Sequence, residues 1–158
     1  MKRNINMKIT FGGLVLFTAL MACTGQPDAA SSQLPLTGTW KLFRGTLIEK
    51  GDTAVTDYTK NTSFIKIINA THFAFLHHDL NRGRDSLAVF SSGGGRYTLV
   101  GSAYTEHLEY CSAREWEGND FHFTVTIRND TLVQRGVEKI ESAGIERMNI
   151  EEYVRLKD

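Results

Sequence analysis

The sequence predicts an all-β fold, an antiparallel up-and-down β-barrel of eight to nine strands. Two observations carry that expectation. Segments of alternating apolar and polar residues recur after residue 36, most clearly in Phe121-His122-Phe123-Thr124-Val125-Thr126-Ile127-Arg128, which is apolar at odd and polar at even positions. Turn chemistry separates these segments, at Asn69-Ala70-Thr71, Gly101-Ser102 and Asn129-Asp130, in a chain with 14 glycines and 2 prolines. The connections are short and leave no room for a long helix. Regular short strands with turn signals mark a sandwich or barrel, and closing the sheet removes its exposed edges. At 158 residues the chain is long enough for one core and too short for two of ordinary size.

The strands follow in order. The first is expected from Gly38 to about Glu49, with Trp40 and Leu42 on one face and Gly45 allowing a bend or bulge. Lys50 to Asn61 lacks periodicity and is expected to be a loop over one end of the barrel, a lid. Thr62 to Ile68 and His72 to His78 are the next two strands. Asp79 to Asp85 is charged and turn-rich, and Ser86 to Ser91 is a candidate short extra strand. Gly93-Gly94-Gly95 reads as a flexible turn, not a phosphate loop, because no Lys-Ser/Thr follows and no helix opens after it. Strands are then expected at Arg96 to Val100, Tyr104 to Tyr110, Phe121 to Arg128, Thr131 to Glu138 and Ile150 to Lys157. The Lys139 to Asn149 stretch is expected to be a connection with one helical turn.

Upstream of this domain, residues 1–22 have the parts of a secretory signal. Lys2, Arg3 and Lys8 form a basic head, and Ile9 to Met21 is an apolar run ending in small residues. The run is short for a membrane span. Met7 is an alternative start, since Lys8 alone still supplies positive charge. Outside this segment 15 basic residues face 18 acidic ones, a mildly acidic balance that gives no reason to expect a nucleic-acid partner. Residues 23–35, small and polar, read as a flexible tether, and residues 36–158 as the barrel domain.

Two resemblances sharpen these expectations. Leu20-Met21-Ala22-Cys23 resembles the lipobox of bacterial lipoproteins, which implies cleavage before Cys23 and acylation of its thiol with chains such as palmitate. Stable anchoring then follows from two or three acyl chains. Thr24 supplies no acidic retention signal, so the expected location is the cell envelope, at the outer membrane. The alternative is an ordinary signal peptide with an incidental cysteine. Cys111 is then left with no partner for an internal disulfide, and is expected to be a packing residue.

The domain itself resembles the lipocalin-like (calycin) barrels, and among them small bacterial lipocalin-like lipoproteins of unassigned function. Gly38-Thr39-Trp40, Gly93 to Leu99, Tyr104 to Tyr110 and Glu151-Glu152-Tyr153-Val154-Arg155 carry the resemblance across nearly the whole domain. It implies that Trp40 sits on the barrel floor with Arg155 packed across it, a cation–π closure. The middle Thr-Asp-Tyr motif of lipocalins is absent where it belongs; Thr56-Asp57-Tyr58 lies after the first strand.

If Trp40 points inward, alternation places Tyr104, Glu106, Leu108 and Tyr110 in one inward set, and Phe121, Phe123, Val125 and Ile127 in another. With Tyr97 and Arg135, these residues form an expected ligand-binding interior for a small hydrophobic or amphipathic molecule. Glu106 needs a partner among aromatics, and Arg135 is the candidate if it also points in. The alternative is a solid core with Glu106 reaching the mouth. The five histidines give no convincing metal set: His77 and His78 face opposite sides of a strand, and His72 and His78 lie about 20 Å apart along one. A site would need His107 or His122 from neighbouring strands. No cofactor is expected. Glu106, His107 and Glu109 are acid–base candidates, but no nucleophile–base–acid triad is evident. The expected function is a tethered, non-enzymatic binding barrel; an envelope interaction or inhibitor module stays open as an alternative, with a small barrel enzyme behind it.

Overall fold

The computed structural model describes residues 34–84 and 86–157. The expected export signal, Cys23 and the expected tether as far as Gln33 lie outside the described residues. Nine strands follow one another: β1 (Gly38–Glu49), β2 (Asp52–Asp57), β3 (Thr62–Ile68), β4 (His72–Asp79), β5 (Phe90–Val100), β6 (Ala103–Cys111), β7 (Asp120–Arg128), β8 (Thr131–Ile140) and β9 (Ile145–Arg155). All pairings are antiparallel in the order β2-β1-β3-β4-β5-β6-β7-β8-β9, and β1 also pairs with β9. Eight strands therefore close into a barrel, with β2 as one extra strand outside the ring. The predicted all-β, closed antiparallel architecture is the one found.

The strand β1 holds this arrangement together. Its first residues, Gly38 to Lys41, pair with β3, and its later residues, Arg44 to Glu49, pair with β2 on that same edge. The opposite edge carries β9 from Trp40 to Ile48. The register shifts between Leu42 and Arg44, so Phe43 is a bulge residue and the inward face changes from even to odd positions. Gly45, the expected bend, lies just beyond it and gives room to the Tyr58 ring.

Four local expectations are corrected. Lys50 to Asn61 is no simple loop, because Lys50 and Gly51 take positive φ angles of 50° and 91° and turn the chain into the β2 hairpin arm. Every residue of β2 is exposed, so burial imposed no alternation that the sequence could display. The Gly93-Gly94-Gly95 run is strand rather than turn, lying inside β5 between β4 and β6. A side chain at Gly95 would collide with the His107 carbonyl oxygen, and the Phe75 ring fills the space beside Gly93. The stretch 86–89 precedes β5 without forming a strand of its own. Finally, Lys139 to Asn149 is mostly strand: β8 runs to Ile140, one 3-10 turn covers Glu141–Ala143, and β9 starts at Ile145.

The apolar core fills the end of the barrel where β1 begins. Trp40, Leu42, Ile68, Phe73, Tyr104, Val125, Leu132 and Tyr153 are all buried there, with Leu36 packed beneath them. Their burial is the main stabilising term for a fold that closes without a disulfide among the described residues.

Candidate functional site

The floor of the barrel is sealed by Trp40 and Arg155, which are register partners on β1 and β9. The Arg155 guanidinium carbon lies 4.0 Å from the centroid of the fully buried Trp40 ring. Trp40 Nε1 donates to the Leu36 carbonyl at 2.8 Å, and Arg155 donates to the carbonyls of Thr37 (2.7 Å) and Pro35. Gly38 has φ 144°, and a side chain there would run into the Arg155 guanidinium. The Gly-Thr-Trp opening thus needs its glycine so that the cation can lie across the indole.

The opposite end is hollow. A cavity of about 300 Å³ opens there, lined on one side by Leu42, Phe64, Phe75, Leu108, Phe121 and Phe123. Thr56 and Tyr58, which follow the β2 turn, stand at its rim, with Trp116 across from them. The volume is at the small end of ligand pockets.

Of the residues singled out from sequence, Glu106, Leu108, Phe121 and Phe123 line this cavity. Tyr104 is buried in the core, its ring centroid 5.3 Å from that of Tyr97. Tyr97 belongs to the floor end: its hydroxyl donates to the Asn69 carbonyl at 2.8 Å, and it lines a separate hollow with Leu34, Leu36 and Leu99. Two residues are corrected. Tyr110 is 69% exposed, because the register of β5 and β6 slips at Glu109 and turns Cys111 inward in its place. Arg135 is exposed and does not reach Glu106, because β8 sends its even positions Leu132, Gln134 and Glu138 inward.

The partner of Glu106 is Lys66. This lysine, buried on β3 between inward Phe64 and Ile68, donates from Nζ to Glu106 Oε1 at 2.7 Å and to Gln134 Oε1 at 3.0 Å. Glu151 Oε2 lies 3.7 Å from the same ammonium and accepts from the Tyr153 hydroxyl at 2.7 Å. Nearer the mouth, Glu138 accepts from Arg147 Nε at 2.8 Å and Asn149 Nδ2 at 2.7 Å, while the Arg147 guanidinium packs 5.1 Å from the Trp116 ring centroid. A polar layer therefore crosses the barrel between an apolar floor and an aromatic mouth.

The electrostatics of that layer follow from burial and sharing. Burial alone would lower the Lys66 pKa, but Glu106 and Glu151 beside it raise it above the usual lysine value, so the ammonium stays charged. Burial pushes Glu106 up, since a single ammonium shared between carboxylates only partly offsets the lost hydration. Glu138 is raised for the same reason, with Glu151 adding to it. Burial also raises the Tyr104 phenol, and the nearby Glu106 charge adds to the shift, yet its buried hydroxyl makes no well-formed hydrogen bond.

The histidines are dispersed. His77 Nε2 lies 2.6 Å from Thr62 Oγ1 and its ring packs against Tyr58 and Phe64; burial, then the nearby His78, lowers its pKa. His107 pairs with Asp120 at 2.7 Å and His122 lies 3.0 Å from Thr105 Oγ1. Among the described residues no three histidine, cysteine or carboxylate groups are placed to hold one metal ion.

Lys66, Gln134, Glu138, Arg147, Asn149 and Glu151 are the site residues that sequence reasoning missed. For Lys66 the signal was present: Phe64, Lys66 and Ile68 share one face of an alternating strand. No protein-family model matches the chain, and no curated protein matches it at a significant level.

Proposed function

We propose that this chain is a lipocalin-like lipoprotein of the cell envelope whose barrel holds a small amphipathic molecule. The observation that carries the reading is the cavity of about 300 Å³ at the end opposite the Trp40–Arg155 floor, apolar at its walls and crossed by fixed polar groups. A filled core would have left no such space. In this reading Cys23 carries the lipid and the chain reaches the barrel at its floor, where Leu34 and Leu36 pack. The role is binding rather than catalysis: the interior cations are held by carboxylates, and among the described residues lining the cavity no nucleophile is paired with a base.

A second reading, an envelope interaction module, draws on the exposed side chains of Leu87 (71%), Phe90 (72%) and Tyr110 (69%) outside the barrel. Native mass spectrometry and solvent extraction of the purified full chain test the first reading. A co-purifying small molecule, released on denaturation, is the expected result. A protein that is empty and takes up no small apolar molecule on titration overturns it. For the anchor, Cys23→Ser is expected to move the protein out of the membrane fraction, and unchanged retention there counts against lipidation.

A further inference from the structure

The ionisable groups lining the cavity are unequal in number. Two cations, Lys66 and Arg147, face three carboxylates, Glu106, Glu138 and Glu151. The cations are also committed. Lys66 is held by Glu106 and Gln134 with Glu151 at 3.7 Å, and Arg147 is held by Glu138. Glu138 is bonded through both oxygens, but the other two carboxylates are less fully used: Glu106 meets Lys66 through Oε1, and Glu151 meets Tyr153 and Lys66 through Oε2. Below them the buried Tyr104 hydroxyl makes no hydrogen bond in good geometry.

An anionic head group brought into this layer would meet a negative excess and would have to displace an existing carboxylate from its cation. A cationic head would instead hold the carboxylates in their charged form and donate its N–H groups to their oxygens. The aromatic mouth, with Tyr58, Phe64 and Trp116, suits a cation on its way in and an apolar body once bound.

We infer that the barrel selects amphipathic amines, molecules with one protonated nitrogen and a short apolar body, and discriminates against fatty acids. The inference rests on the pocket reading above and adds the charge of the ligand to it. At about 30 Å³ per non-hydrogen atom the cavity suits a body of roughly ten such atoms.

Three probes of matched length test this: octylamine, 1-octanol and sodium octanoate, titrated calorimetrically into the purified full chain at pH 7 in 0.15 M salt. Octylamine is expected to bind at least about ten-fold tighter than octanol, with octanoate weaker than both. Glu151→Gln keeps an acceptor for Tyr153 and removes one negative charge, and should reduce the octylamine-to-octanol affinity ratio several-fold. A ratio unchanged by this variant means the amine is held outside the cavity and overturns the inference. If the variant does not fold, the ranking on the natural chain decides. Octanoate binding as tightly as octylamine, or equal binding of all three, overturns the amine preference and leaves the pocket standing. Failure of all three to bind removes the pocket reading and the inference with it.

Discussion

Lys66 is the residue on which the interior turns. It sits among Glu106, Gln134 and Glu151, with its Nζ also 5.4 Å from the Tyr153 ring centroid and 5.7 Å from that of Phe73. Buried ion pairs offset little more than their own desolvation, but breaking one leaves a charge stranded. Lys66→Met is therefore expected to destabilise the barrel by about 3–5 kcal/mol, whereas adding Glu106→Leu to it should recover much of that loss. Urea unfolding of the two variants measures both; a double variant no more stable than the single one would show that the cost lies in packing and not in the stranded carboxylate. At this scale the sequence was legible where side-chain type and alternation agreed. Phe121, Phe123 and Leu108 point inward because they are apolar on the inward parity of their strands. Arg135 was misplaced because Glu106 called for a cation and the lysine that supplies it lies 40 positions earlier in the chain, a pairing that no local pattern encodes.

Among the elements, the two bulges decide which residues reach the cavity. The irregularity at Phe43 carries Leu47 to the interior, and the one at Glu109 turns Tyr110 out and Cys111 in. A bulge changes the parity of everything after it, and a sequence of good strand formers does not announce where it falls. The appended strand β2 was invisible for a related reason, since a strand exposed along its whole length has no apolar face to show. The late start predicted for the last strand has another source: Arg147, Asn149 and Glu151 line the interior, so its inward face reads as polar. Because β2 is bonded to β1 on one edge and carries no buried residue, its amides should exchange with solvent faster than those of Trp40 to Leu42, which lie in the closed part of the ring. Hydrogen-exchange mass spectrometry distinguishes the two segments. Equal protection would mean that the arm is held down over the mouth as firmly as the barrel wall.

For the molecule as a whole, the polar layer makes stability depend on pH in an unusual direction. Burial raises Glu106 and Glu138 above the ordinary glutamate value of 4.5, so the folded protein holds their protons more tightly than the unfolded chain does. The contribution of these two groups is fully present below that value and is lost as pH rises through their folded values. Asp79, lowered by the backbone N–H groups of Gly83 and Val89, acts in the opposite sense, and its contribution is lost on acidification below its ordinary 3.8. A carbon-detected NMR titration of the side-chain carboxyls should place the midpoints of Glu106 and Glu138 above 4.5, and midpoints at or below it would mean that the layer is better hydrated than its burial implies. The closed ring was readable from the alternation and the turn spacing, and the pairing of Trp40 with Arg155 is what the resemblance to lipocalin-like barrels implied. The polar middle was not, because it is assembled from residues of β3, β6, β8 and β9 that meet only once the sheet has curled.

The pairing of Trp40 with Arg155 joins the beginning and the end of the described chain. The ring cannot close before β9 is made, because the partner of β1 on that edge is the last of the described strands. Topologies dominated by such distant pairings fold in milliseconds to seconds rather than microseconds, since the entropy of the largest loop is lost before its contacts form. Until β9 arrives, β1 and β8 each present an unbonded edge. Under the export proposed above, this delay works in the chain's favour, because the sequence cannot lock into its final shape before β9 has crossed.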